Sequence, residues 1–209
     1  MEDVLAVSAT SYDPRYPKVN FDETNRQLLA EVYPPLPAAP GQPQRYDAEY
    51  KREGTRNLFI HVEPQAGWRH VEVTARRTKR DFAQQMQWLV DERYPDATRI
   101  RVVLDQLNTP GPASLYEAFA PAAARRLVEK LEFHYTPKHG SWLNRAEIEL
   151  SVLQRQCLDR RIPDEATLIR EVAAWEAQRN QEHATIDWRF SITDAREKLK
   201  RLYPLPSVR

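Results

Sequence analysis

RIRVVLD (99–105) is a short β-branched run that stops on an acid. A polar stretch, QLNTPGP (106–112), follows it, and the run reads as a buried strand. In open α/β sheets, sites collect beyond the carboxyl ends of strands, so Asp105 stands where a rigidly held carboxylate can face a neighbour. KVNFDE (18–23) ends the same way. Val19 and Phe21 alternate with Asn20 and Asp22, which gives a short strand closed by Asp22. Working outward, RQLLAEVY (26–33) is a weaker extension of a sheet, and NLFIHV (57–62) with RHVEVTA (69–75) forms an antiparallel hairpin around Pro64 and Gly67. LEFHY (131–135) is a further strand.

Helices alternate with the later strands. Phe82, Met86, Leu89 and Val90 share one face of a helix over about 79–93, with Thr78 as its cap and Asp81 at the third position. Helices follow at about 114–119, 121–130, 165–181 and 194–202, with Asp164 and Thr193 as caps of the last two. Another begins inside HGSWLNRAEIEL (139–150). Strands come first and α-β-α-β-α after them, so the pattern predicts an α/β mixed sheet with helices on its faces. Residues 1–17 read as a tail or linker, and 205–209 as a C-terminal tail. PPLPAAPGQP (34–43), at the heart of a Pro-rich insertion spanning 34–50, reads as a stiff protruding loop because proline is excluded from helix interiors and central strands.

Composition removes several chemistries. The chain has 209 residues, 41% apolar, which suits one compact domain. One cysteine excludes an internal disulfide framework or a multi-cysteine zinc site, and makes a reducing cytoplasm the expected compartment. Glycine occurs only at 41, 54, 67, 111 and 140, so neither a Gly-rich dinucleotide fingerprint nor a Walker phosphate loop is present. No organic cofactor is expected, and no apolar run is long enough to span a membrane. With 31 basic against 30 acidic residues, a nucleic-acid partner requires local clustering of charge.

Two strand-end aspartates repel unless a cation lies between them. Hard oxygen donors without thiols suit Mg²⁺ or Mn²⁺. A third acid on a helix packed against the sheet completes a two-metal site, which clamps the attacking and leaving oxygens of a phosphodiester. Glu147 is a candidate. The same residues also have ordinary readings: Asp22 and Asp105 suit Asx turns, and Asn144 with Glu147 makes a capping box. Ala146, Leu150, Leu153 and Cys157 form an apolar stripe flanked by Glu147 on one side and Glu149 on the other, so helical phase does not choose between them.

KVNFDET, RVVLDQLNT and FHYTPKHGSWLNRAEIELSVLQRQCLDRRIPD resemble the catalytic part of bacterial insertion-sequence transposases of the mariner-related group. The resemblance covers residues 18–203 and is most specific over 114–204. It implies a ribonuclease H-like fold over 18–204 and an Asp-Asp-Glu triad at Asp22, Asp105 and Glu147, the last from the family's Leu-Asn-x-x-Glu segment (143–147). It also implies two Mg²⁺ (or Mn²⁺) ions, double-stranded DNA as partner, strand transfer by the freed 3′-OH, and a nucleoid-associated location in a bacterial cytoplasm. The family usually has Asn after the second Asp and often a His further on; here Gln106 and Pro110 stand there. Relatives carry a helix-turn-helix region before this part, expected here either as a separate subunit or as lost from a truncated copy. A regulator without activity and a nuclease without strand transfer are the alternatives.

For DNA contacts the expected cluster is Arg76, Arg77, Lys79 and Arg80, joined by Lys138, His139 and Trp142 on the loop before Glu147. A solvated face accounts for such charges equally well, and Trp142 also suits an anchor on the core. Further basic runs are Arg155, Arg160, Arg161 and the helix bearing Arg196, Lys198, Lys200 and Arg201. The proline loop resembles in position a loop that reaches a partner subunit in related enzymes, and a plain surface insertion accounts for it equally well; a homodimer or a separately encoded helix-turn-helix subunit is the expected protein partner.

Overall fold

The computed structural model describes residues 1–105 and 111–203. Five strands form one sheet in the order β3-β2-β1-β4-β5: β1 (Lys18–Glu31), β2 (Tyr50–Glu63), β3 (Trp68–Thr74), β4 (Ile100–Leu104) and β5 (Leu131–Tyr135). β1, β2 and β3 pair antiparallel, whereas β4 runs parallel to both β1 and β5. The helices are α1 (Glu2–Ala9), α2 (Lys79–Trp88), α3 (Ala113–Ala118), α4 (Pro121–Lys130), α5 (Ala146–Leu153), α6 (Glu165–Gln181) and α7 (Ile192–Lys198). This is the expected α/β mixed sheet of ribonuclease H-like type.

Strand alternation builds a core on each face. Val19, Phe21, Phe59, Val102 and Leu104 point to one side, where Phe82, Met86 and Leu89 of the α2 segment pack with Leu115 of α3 and Leu127 of α4. Leu58, Ile60 and Val62 point to the other, against Ala146 and Leu153 of α5 and Leu168, Val172 and Trp175 of α6. Burial on both faces explains the nearly continuous apolar runs of β4 and of residues 58–62 in β2. Thr78 and Asp81 form the expected capping box of α2, and Asp164 caps α6 through the Thr167 amide at 2.7 Å. Past Trp88 the expected long helix continues to Arg93 as a π-turn.

Four expectations are corrected. Residues 1–17 are not simply a tail: Val4, Leu5 and Val7 of α1 are buried with Val103, Leu143 and Ala195. Glu2 pairs with Arg196 at 2.7 Å, and Asp3 with His134 at 2.8 Å. β1 is not a short strand ending at Asp22 but a 14-residue one, carried past a bulge at Gln27/Leu29 by pairing with β2. The insertion is shifted from 34–50 to 32–49, since Glu31 closes the ladder against Tyr50. The cap of α7 is Ser191, not Thr193, because Ser191 and Asp194 hold the spacing that closes a capping box.

Two glycines are required by close approach. Gly67, in the β2–β3 turn, has φ +64° and lies so close to the His183 backbone that a Cβ would sit 2.6 Å from its carbonyl carbon. A Cβ on Gly140 would come within 2.6 Å of the Pro137 ring, so the loop leading to α5 closes tightly only with glycine there. Among the described residues no helix is long and apolar enough to cross a membrane.

Candidate active site

Sheet register brings the two aspartates together. β1 and β4 are parallel neighbours with Lys18 beside Arg101 and Asn20 beside Val103. The same offset sets residue 105 beside Asp22, and adjacent strands lie about 4.8 Å apart. Lys18, Asn20 and Asp22 share the face opposite Val19 and Phe21, as Val103 and Asp105 share the face opposite Val102 and Leu104. Both carboxylates therefore project toward the side of the sheet that carries α5.

Each is oriented by a hydrogen bond. Thr136, just past β5, donates its hydroxyl to Asp105 Oδ1 at 3.0 Å. Asn144 donates its side-chain amide to the Phe21 carbonyl at 2.8 Å and reaches Asp22 Oδ2 at 3.4 Å, while its own oxygen accepts from Asn20 Nδ2 at 3.2 Å. Asn144 is fully buried. The capping box expected of Asn144 and Glu147 does not form: Arg145 is the N-cap, and Asn144 Oδ1 accepts from the Ala146 amide at 3.2 Å instead. The Asn144 NH2 donates to β1, while its oxygen is shared between Asn20 and the first residue of α5. A consequence is that the start of α5 is tied to Asp22 itself.

Helical phase left Glu147 and Glu149 equivalent, and burial separates them. Glu149 is 1% exposed and held between Arg69 (Nε at 3.3 Å) and Arg179 (Nη2 at 2.8 Å). Arg69, itself wholly buried, also donates to the carbonyls of Gly67, Arg179 and Ala184. This triad fastens α5 to β3 and α6. Glu147 is exposed, one turn after Asn144. Its negative charge reaches Asp22, whose carboxyl is pushed up to about 7. Burial is the main cause. The Glu23 amide works against the rise, and the charges of Glu147 and Asp105 add to it.

The donor set fits a hard divalent cation in kind: all three groups are carboxylates, and burying Asp22 beside like charges favours a cation between them. The acids do not already close on one point. Among the described residues no group of three His, Cys, Asp or Glu side chains is arranged to hold a metal ion.

Residues 17–169 match the family described as DDE superfamily endonuclease. The chain belongs to this family. No curated protein matches the chain. DDE endonuclease domains generally use divalent metals and act on DNA, and membership makes this domain a nuclease-type enzyme.

The other expected site residues divide. Arg76 and Arg77, between β3 and α2, and Lys79 and Arg80, in the first turn of α2, are all exposed. Arg77 pairs with Glu23, the neighbour of Asp22, at 3.4 Å, and Lys79 with Glu117 at 2.7 Å. Lys138 and His139 are exposed on the loop into α5, where His139 takes φ +64°. Trp142 is 43% exposed but also stacks on Trp188 at 6.3 Å and meets Phe190 edge-on at 5.1 Å, so it anchors the loop and still faces solvent. Arg160 and Arg161 pair with Glu171 and Glu31, which makes them structural braces of the β1–β2 ribbon and α6. Gln106 and Pro110 lie outside the described residues. Sequence reasoning missed Asn20 and Thr136 as orienting groups, and assigned Asn144 to a cap. Their roles depend on partners up to 124 positions away, so no local pattern marks them.

Proposed function

We propose that this DDE endonuclease domain is the catalytic part of a bacterial insertion-sequence transposase of the mariner-related group, cutting DNA at element ends and joining the freed 3′-OH to target DNA. Asp22, Asp105 and Glu147 are the catalytic acids and the residues that hold the cations, two Mg²⁺ or Mn²⁺ ions. The observation that supports this best is the parallel β1–β4 register, which continued two residues sets Asp105 beside Asp22, with Asp22 raised by burial and by the charges of the other two acids. When bound, divalent ions supply Lewis-acid stabilisation of the attacking and leaving oxygens of a phosphodiester. Asn144 fixes Asp22, Thr136 fixes Asp105, and the Arg69–Glu149–Arg179 triad sets the rotation of α5 that presents Glu147. Arg76, Arg77, Lys79, Arg80, Lys138, His139 and Trp142 make the DNA surface. The partners are double-stranded DNA and either a second copy of the chain or a separately encoded helix-turn-helix subunit.

Nicking of supercoiled plasmid by the purified protein in Mn²⁺ tests the assignment. Asp105→Ala is expected to remove nicking and metal-dependent thermal stabilisation together, and cleavage that survives the change refutes the triad. Supplying a pre-cut 3′-OH end with target DNA separates strand transfer from simple hydrolysis, since only the former yields joined products. Gln106 and Pro110, where the family usually has Asn and often His, favour a second reading: a catalytically weakened copy that binds DNA or dimerises as a regulator. Nicking by the wild type removes that reading.

A further inference from the structure

Beside Glu147, the outer face of α5 forms one wall of an open pocket of about 340 Å³. Ser141, Trp142, Glu147, Ile148, Ser151 and Arg155 line it. Its size lies at the lower end of small-ligand clefts, roughly 300–1,000 Å³. Ile148 is 37% exposed, an apolar side chain left facing solvent next to the candidate acid. Part of the Trp142 surface is covered by Trp188 and Phe190, and part of the exposed remainder lines this pocket. Arg155 closes the far end. Arg160 and Arg161 nearby are paired with carboxylates, whereas Arg155 has no ion-pair partner among the described residues. Glu147 is the one carboxylate in the lining, so an anionic group is drawn to the Arg155 end.

An indole, an aliphatic wall, two hydroxyls and an uncommitted guanidinium match a nucleotide: a flat ring to stack, edges to hydrogen-bond and a phosphate to pair. A base inside a duplex has both faces covered by its neighbours, so only an unpaired base can use such a platform. We propose that this pocket takes a single unpaired nucleotide of the DNA substrate, with the base on Trp142 against Ile148 and the phosphate on Arg155. The inference rests on the DNA-cutting reading of the neighbouring acids and names the form of DNA they meet.

Binding measured in EDTA by fluorescence anisotropy, so that no cleavage intervenes, tests it with two labelled probes: a blunt duplex and the same duplex carrying a short unpaired flap. The wild type is expected to bind the flapped probe more tightly by roughly 5- to 150-fold, the range of one base–aromatic stack. Trp142→Ala abolishes that preference, because it weakens binding of the flapped probe far more than binding of the blunt duplex, Trp142→Phe keeps most of it, and Arg155→Ala reduces it. Because Trp142 also packs on Trp188, Ile148→Asp provides a variant that leaves the aromatic contacts in place, and it too abolishes the preference. An abasic flap reproduces the Trp142→Ala loss, and the two changes together lose nothing more. Equal wild-type affinity for both probes, or equal loss of both on Trp142→Ala, overturns the proposal. Flap preference in a wild type that does not nick supports the pocket and removes the cutting reading; nicking without flap preference overturns the pocket alone.

Discussion

Two glutamates, two positions apart on α5, have opposite fates, and the difference is burial. Glu149 sits out of water between two guanidinium groups, while Glu147 stands in water near Asp22. Removing one member of a buried charged triad leaves an uncompensated charge, which typically destabilises by about 3–5 kcal/mol. Glu149→Gln is therefore expected to lower the melting temperature markedly, whereas Glu147→Gln changes it little and abolishes nicking. Thermal denaturation of the two variants side by side checks this, and equal destabilisation contradicts it. His70 gives a second prediction. Burial opposes its charge, but hydrogen bonds with Glu176 and Glu72 outweigh this and raise it to about 9. A base held above its unfolded value, about 6.5, contributes its full stability below that pH. The contribution is lost as pH rises through about 9, roughly 3 kcal/mol at most. Urea unfolding across pH 6–10 should show that decline, and Glu176→Gln should flatten it.

Among the elements, α1 carries the largest revision. Its three buried residues read as unremarkable in an acidic N-terminal stretch, because their partners Val103, Leu143 and Ala195 come from β4, the loop before α5 and α7. Deleting residues 1–9 uncovers Leu143, next to Asn144, and is expected to destabilise the domain by several kcal/mol, given about 1.5–3 kcal/mol for each fully buried aliphatic side chain. Calorimetry of the truncated chain measures the loss; an unchanged melting temperature would return these residues to the status of a tail. Elements with strong internal signals needed no such correction. β5 and α6 occupy their expected residues, as does the Thr78–Asp81 cap, because alternation, 3.6-residue periodicity and cap spacing are local properties of the chain.

For the molecule as a whole, the β1–β2 ribbon extends past the sheet and ends in the proline loop, where Tyr33, Leu36 and Tyr46 are each at least 60% exposed. These groups add nothing to either core. Replacing residues 33–48 with a two-residue turn is expected to leave the melting temperature essentially unchanged and to weaken self-association in light scattering, as the proposed homodimer requires. A stable truncated protein that self-associates as before would place the dimer contact elsewhere.

The candidate acids were legible to different degrees. Asp105 follows a β-branched strand, and the sequence pattern places it there directly. Asp22 also lies on the expected strand, but its position in mid-strand follows from β2, which carries the polar residues after it into a long ladder. The proposal of Glu147 came from a family likeness; Glu149, buried between Arg69 and Arg179, is taken up by the fold.

Local order of strands, helices and caps follows from the sequence alone, since side-chain periodicity and capping act between residues a few positions apart. Tertiary structure alone decided which carboxylates share a face, which glutamate is buried, and that Asn144 ties Asp22 to the start of α5. Those outcomes depend on strand register and on desolvation, and both arise only when segments distant in the chain pack together.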